Sequence, residues 1–214
     1  MSQSELNKRL EAGLALLTAN VATVNDSQRE QLIHFLELLI KWNKAYNLTA
    51  VRDPELMVSH HLLDSLTVQP HLFGKSMADI GTGAGLPGMP LAILNPEREF
   101  LLIDSNGKKT RFITHAVASL GLKNVTVWHG RSEHYEAGPG FDTVMCRALA
   151  NMPKLLEIGG HLLSEGGRLV AQKGLVPEEE LKQLPEGWSS ESFPVKVPFL
   201  EDKARHIIVL HHQP

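Results

Sequence analysis

The stretch ADIGTGAGLPG, residues 78–88, puts the acid Asp79 at the end of a short apolar run, then Gly81, Gly83 and Gly85, then a helical pattern beginning near Leu86 or Pro87. Ligands of open α/β sheets sit beyond the carboxyl ends of the strands, and glycine there lets backbone approach a ligand where a Cβ would collide. The segment therefore predicts a nucleotide-type cofactor loop at the end of a first strand. Downstream, short apolar runs alternate with helical patterns: MADI (77–80), PLAIL (90–94), FLLID (100–104), TRFITHAVASL (110–120), NVTVW (124–128), FDTVMCRA (141–148), a helix near 152–163 and GRLVAQK (167–173). Such alternation implies right-handed βαβ units and a mostly parallel sheet covered on both faces. Two closing strands, expected at about 192–199 and 205–211, are separated only by Leu200 to Ala204, which fits a hairpin with one antiparallel strand. The expected architecture is a doubly wound, Rossmann-like, seven-stranded sheet with an antiparallel last strand.

Upstream, residues 1–70 read as a helical extension preceding a cofactor-binding domain over 71–214. In one helix Leu32, Ile33, Leu36, Leu39, Ile40 and Asn43 follow helical spacing, with Ser27 and Glu30 as a capping box. A further helix is expected to open at Asp53-Pro54, an acceptor side chain followed by proline, and to run through Leu56, His60, Leu63 and Leu66.

Two cofactors compete for the loop. The string Gly83-x-Gly85-x-x-Gly88 satisfies the dinucleotide fingerprint, but it begins two residues late, after Gly81 has made the turn. An acid followed by glycines at alternate positions is instead the arrangement expected for S-adenosylmethionine. Asp104, ending the second strand, can accept hydrogen bonds from both ribose hydroxyls of either cofactor. Ser132 and Glu133 follow the third strand, where methyltransferases of this fold class contact adenine. Arg147 ends the fourth strand, beside the expected methionine part and the acceptor, where a guanidinium can grip a carboxylate or phosphate in bidentate fashion.

The chain has 214 residues, a formal charge of −3, and apolar and charged shares of 43% and 21%, as in ordinary globular proteins. Nothing approaches a membrane span and the opening MSQSELNKRLEAG lacks the pattern of a secretory signal, so a soluble cytoplasmic protein, monomeric, is expected. Cys146 is the only cysteine, which excludes an intramolecular disulfide and a cysteine-rich metal site. The pairs His60-His61 and His211-His212 do not face one site in regular structure, so no metal is expected. Net charge argues against bulk coating of nucleic acid, yet from Asp104 to Arg131 five basic residues (Lys108, Lys109, Arg111, Lys123, Arg131) meet one acid, a local net of +4. With Arg52, Lys173 and Arg205 they form a candidate phosphate-contacting surface, solvated helix faces being the alternative.

The strings KWNKAYNLTAVRDPE (41–55), HLLDS (61–65), DIGTGAGLPGMPLAI (79–93), LIDSNGKKTRF (102–112) and MCRALA (145–150) together resemble the small-subunit ribosomal RNA methyltransferase G family, collinearly over most of the chain. The resemblance implies a class I methyltransferase fold, S-adenosylmethionine as cofactor, and methylation of a guanine N7 in the decoding-region loop of 16S rRNA, within the small subunit or an assembly intermediate. By position it carries the cofactor role onto Gly81, Leu86, Ser132, Glu133 and Arg147. The family often has proline where this chain has Ala84, and valine or alanine where it has Ser132.

Guanine N7 presents an unprotonated lone pair, so the implied reaction requires no acid or base, and Arg147 is expected to position the acceptor at most. A string N/D-P-P-Y/F, the mark of exocyclic-amine methylation, is replaced by RALANMP. Cys146 lies near the place of the nucleophile used for pyrimidine C5 chemistry, but without the proline-cysteine context, and packing is the alternative. An NAD(P)-dependent oxidoreductase and a non-catalytic binder of the methyl donor remain the other classes.

Overall fold

The computed structural model describes residues 2–17 and 23–212. Three helical stretches come first. α1 (Gln3–Leu16) is capped reciprocally by Ser2 and Glu5 and buries Leu6 and Leu10. α2 (Asp26–Tyr46) starts earlier than the Ser27–Glu30 pair predicts: the Asn25 side chain accepts from the Gln28 N–H (2.9 Å) and the Gln28 side chain accepts from the Asn25 N–H (3.1 Å). An Asn–x–x–Gln box satisfies the same two orphan donors as Ser–x–x–Glu. Its amide also donates to the Leu94 carbonyl (3.2 Å), a contact closed to a carboxylate.

α3 opens at Pro54–Met57 under an Asp53 cap, as the Asp-Pro pair predicts, widens to a π-helix over Val58–Leu63 and closes as Asp64–Leu66. The wide turn carries His60 and His61, and π-helical segments recur at functional sites.

The strands are β1 (Ser76–Ile80), β2 (Glu99–Asp104), β3 (Val125–His129), β4 (Phe141–Arg147), β5 (Leu163–Lys173), β6 (Trp188–Pro194) and β7 (His206–His212). They form one sheet in the order β3-β2-β1-β4-β5-β7-β6. β1 pairs in parallel with β2 and β4, β2 with β3, and β4 with β5, while β7 runs antiparallel to both β5 and β6. Crossovers pass through α4 (Gly88–Leu94), α5 (Gly107–Leu120) and α6 (Met152–Gly159), and a short α7 (Glu178–Leu181) precedes the hairpin. β6 begins and ends before the expected 192–199: it stops at Pro194, a residue that an edge strand tolerates because its N–H side faces away from the sheet, and Val197 and Leu200 beyond it are buried.

Side chains alternate between two apolar layers, as the pleat requires. Met77, Phe100, Leu102, Met145, Val170 and Val209 face the layer that holds α4 and α5, whereas Ala78, Ile80, Ile103, Val144, Leu169 and Ile208 face the layer holding α6. The first three helices belong wholly to the former layer, where Phe35 of α2 stacks near Phe112 of α5 with ring centroids 6.0 Å apart. The helical segment thus covers one face of the sheet.

Leu36 is fully buried in that shared layer. Leu36→Ala is expected to cost about 2–5 kcal/mol, with far-UV circular dichroism and tryptophan fluorescence falling together in urea because Trp42 and Trp128 flank the same sheet. Separate transitions for the two probes would show the helices to be energetically independent.

Candidate active site

The chain leaves β1 through Gly81 and Gly83, both at φ +63°, a region that L side chains rarely enter. Asp79, fully buried, folds the loop back on itself: its Oδ2 accepts from Thr82 Oγ1 (2.6 Å) and from the Gly88 N–H (2.8 Å). The loop is tied to the neighbouring strand by the Thr82 N–H, which donates to the Ile103 carbonyl (3.0 Å), and by the Gly83 N–H, which donates to Asp104 Oδ2 (2.8 Å). Asp104 Oδ1 accepts from the Asn106 N–H (2.8 Å), so this carboxylate joins the loops after β1 and β2.

Above these loops lies a cavity of about 620 Å³, within the range of small-molecule sites. Gly81, Gly83, Leu86, Asp104, Ser132, Glu133 and Arg147 all line it. Gly85, expected beside them, does not: its Cβ would lie 2.6 Å from Met89 Cγ, so this glycine serves the close passage of loop against α4. Ser132 opens a 3₁₀ turn after β3 and donates to Glu133 Oε2 (3.2 Å). Glu133 sits below the usual carboxylate range, its own backbone N–H being the main cause and Ser132 a lesser one.

Arg147 leaves the end of β4 toward the helical segment. Its Nη1 donates to the His60 carbonyl (2.8 Å) and to Asp64 Oδ2 (3.3 Å), while Arg205 Nε donates to Asp64 Oδ1 (3.2 Å). A second cavity, of about 390 Å³, opens there over the ends of β4 and β5. Ala148, at φ +50°, and Arg147 line both cavities.

The predicted basic surface separates. Lys108 and Arg111 are exposed on α5, and Arg52 is exposed and donates to Asn47 Oδ1 (2.8 Å). Lys109 instead lines the first cavity with Nζ 3.9 Å from Asp104. Lys173 is turned inward, donating to the Ala150 carbonyl (2.6 Å) and lying 3.4 Å from Glu180, because the loop after β4 folds over it. Cys146 is buried in the apolar layer, its thiol pushed up to about 12 by burial, which leaves it a packing group and no nucleophile. Among the described residues no three metal-ligating side chains converge.

Sequence reasoning missed Thr49, which lines the first cavity and contacts His61 Nε2 (3.0 Å), and Gln172, at the second. Gln172 stands one residue before a strand end, where the rule for open sheets places ligands. Nothing in the local sequence marks Thr49.

A family model described as rRNA small subunit methyltransferase G matches residues 28–208. The chain belongs to this family. Ribosomal RNA small subunit methyltransferase G of Aeromonas salmonicida is 48% identical over 190 residues, covering 88% of this chain and 91% of that protein. The protein of the same name from Psychromonas ingrahamii is 50% identical over 179 residues, covering 83% and 86%. Among solved structures, the O-methyltransferase TomG of Streptomyces achromogenes, in complex with SAM, matches with TM-score 0.59 at 14% identity and full coverage of both chains. A SAM-dependent methyltransferase from Aquifex aeolicus matches with TM-score 0.57 at 20% identity, covering 77% of this chain and 96% of that one. At such identities the likeness shows the fold, and that fold is the methyltransferase one. In this member of the methyltransferase G family both cavities therefore lie on the carboxyl edge of a methyltransferase sheet, with the helical segment contributing Thr49 to the wall of the first and His60 and Asp64 to that of the second.

Burial pushes Asp79 from 3.8 up to about 7, the bonds from Thr82 and Gly88 offsetting it in part. A carboxyl whose folded-state value is raised adds stability that is complete below its unfolded value and lost as pH climbs through the folded one. Between pH 3.8 and about 7 the wild-type urea midpoint is expected to fall relative to that of Asp79→Asn, which imitates the protonated group. Parallel curves for the two proteins across that window would refute the assignment.

Proposed function

We propose that this chain transfers a methyl group from S-adenosylmethionine to N7 of a guanine in the 16S rRNA of the small ribosomal subunit. The observation that carries the proposal is the first cavity: a backbone loop at Gly81 and Gly83 locked to a nearly buried Asp104, in a chain that the methyltransferase G family model matches over residues 28–208.

S-adenosylmethionine supplies an electrophilic methyl on a sulfonium. Asp104 is placed to receive the ribose: a carboxylate accepts through two oxygens with about four lone-pair sites, and the backbone bonds from Gly83 and Asn106 use one on each. Ser132 and Glu133 bound the end of the cavity nearest β3, suited to the base. Arg147 bounds the other end, where the reacting group would lie. The guanine N7 lone pair forms the new N–C bond as the C–S bond breaks; the electron pair stays on sulfur and the positive charge passes to the purine ring. No proton moves, so the site has to orient the two reactants and exclude water, and proximity is its main device. The charged side chains of the lining are Asp104, Lys109, Arg131, Glu133 and Arg147, and Asp79 lies sealed beneath the loop.

A dinucleotide fits less well. The Rossmann fingerprint works by presenting free amides of a helix N-terminus to a pyrophosphate. Here the Gly88 N–H is held by Asp79, the Met89 N–H by the Gly85 carbonyl (2.8 Å), and Pro90 has none.

The test is transfer of a labelled methyl from S-adenosylmethionine to small subunits lacking their native methylation, with mapping of the modified nucleotide. Label at N7 of one guanine in the decoding-region loop is expected; label elsewhere, or none, overturns the substrate assignment. Asp104→Ala is expected to weaken S-adenosylmethionine binding by about 1.5–3 kcal/mol through lost bonds to a charged acceptor, read by calorimetric titration. An unchanged dissociation constant would remove Asp104 from the ribose site.

A further inference from the structure

We propose that the second cavity is the acceptor-nucleotide pocket, taking a guanine nucleotide turned out of a single-stranded RNA loop, and that Asp64 of the helical segment positions Arg147 and Arg205 in it. The proposal rests on the methyl-donor assignment of the first cavity.

Three features carry it. The two cavities meet at Arg147 and Ala148, at the end of β4; from there the first extends toward β2 and β3 and the second toward Gln172 and Lys173 of β5. A donor whose ribose lies on Asp104 has its other end toward β4, so a molecule in the second cavity meets that end directly. The volume, about 390 Å³, admits a base and part of its backbone. Enzymes that act on a base take it out of the stack into such a pocket.

Charge and donor inventory select the ligand. Arg147 and Arg205 line the pocket against the carboxylate of Asp64, while Lys173 is paired with Glu180, which leaves an excess of positive charge that favours a polynucleotide phosphate. Asp64 is 4% exposed and holds one arginine on each oxygen. The bonds found for Arg147 leave from Nη1, and those of Arg205 from Nε and Nη1, so each guanidinium keeps N–H groups for a ligand. Guanine presents O6 and N7 as neighbouring acceptors; an arginine N–H given to O6 fixes that edge and leaves the N7 lone pair unblocked. Adenine presents an amine at the same place, and arginine has no acceptor to receive it.

The experiment uses the full chain, methylation-deficient small subunits and S-adenosylmethionine, with Arg205→Gln and Asp64→Asn compared with wild type. Calorimetric titration with S-adenosylmethionine is expected to give dissociation constants within about twofold of wild type, while kcat/KM for the subunits falls by about ten- to a hundredfold, the loss of a charged hydrogen bond. Asp64→Glu, which keeps the charge, is expected to recover part of the loss, a rescue that a purely structural role would not give. Should Asp64→Asn fail to fold, Arg205→Gln decides alone. Wild-type kcat/KM in Arg205→Gln overturns the pocket while leaving the methyltransferase assignment standing, as does a loss of donor affinity equal to the loss of kcat/KM. No transfer by the wild-type chain overturns the methyl-donor reading, and the pocket with it.

Discussion

The carboxyl edge of the sheet depends on how the chain leaves β1, and that exit is held by one side chain. Asp79 is sealed from water and draws the Gly88 N–H and the Thr82 hydroxyl onto a single oxygen. The loop is thereby closed into a ring whose outer rim, Gly81 and Gly83, lines the cavity, Gly81 lying beneath the Leu149 side chain, which a Cβ there would meet at 2.5 Å. The same bond uses the first amide of α4, which removes the helix N-terminus from ligand binding. One interaction thus sets the course of the loop along the cavity and leaves its backbone unsuited to a pyrophosphate. Gly88 itself has no room for a Cβ, which would come 2.2 Å from a Leu102 methyl and 2.8 Å from Asp79 Oδ2. Loop, helix and β2 are therefore set at fixed spacing, and Asp104 at the end of β2 arrives where the Gly83 N–H can reach it.

The helical segment is bound into this arrangement at two levels. Its apolar face completes one layer of the core, through Leu36, Phe35 and their neighbours. Its polar residues then reach the edge of the sheet: Thr49 at the first cavity, His60 and Asp64 at the second. The π-helical turn over Val58–Leu63 lies between these contacts and puts the His60 carbonyl within 2.8 Å of Arg147. His61, buried in the same turn, is held down to about 4 mainly by burial, and so stays neutral beside the arginine at ordinary pH.

Much of this was legible in the sequence, for reasons that also mark the limits. Strand ends are visible as apolar runs that stop at glycine or a polar residue, and ligands gather beyond them, so Gly81, Asp104, Ser132 and Arg147 could be placed at one edge before any coordinates. Gly85 shared their spacing but not their place, because spacing does not reveal whether a missing Cβ makes room for a ligand or for Met89. The basic residues were less legible still. Lys108 and Lys109 are adjacent, yet successive positions on a helix point about 100° apart, and only Lys109 turns to the cavity. Lys173 ends a strand like Arg147, but its direction is set by Glu180, which a local pattern cannot anticipate. Asp64 gathers partners from residues 147 and 205, contacts that exist only once the sheet has formed.

That cluster is hard to explain as a device for stability. Two guanidinium groups on one nearly buried carboxylate must give up much of their hydration, and replacing buried ion pairs by apolar side chains of similar volume is often neutral or stabilising. The neighbouring layers show that this chain packs apolar side chains readily at the same depth: Leu62, Leu63 and Leu66 flank Asp64 on α3 with no measurable exposure. What an apolar replacement would lose is direction. Asp64 holds Arg147 and Arg205 from opposite oxygens, while each retains N–H groups outside these bonds. A planar guanidinium loses less freedom on binding when its orientation is already set. The cost of the cluster is therefore met by what it prepares for: two cations held in advance, Arg147 where the two cavities meet and Arg205 in the second.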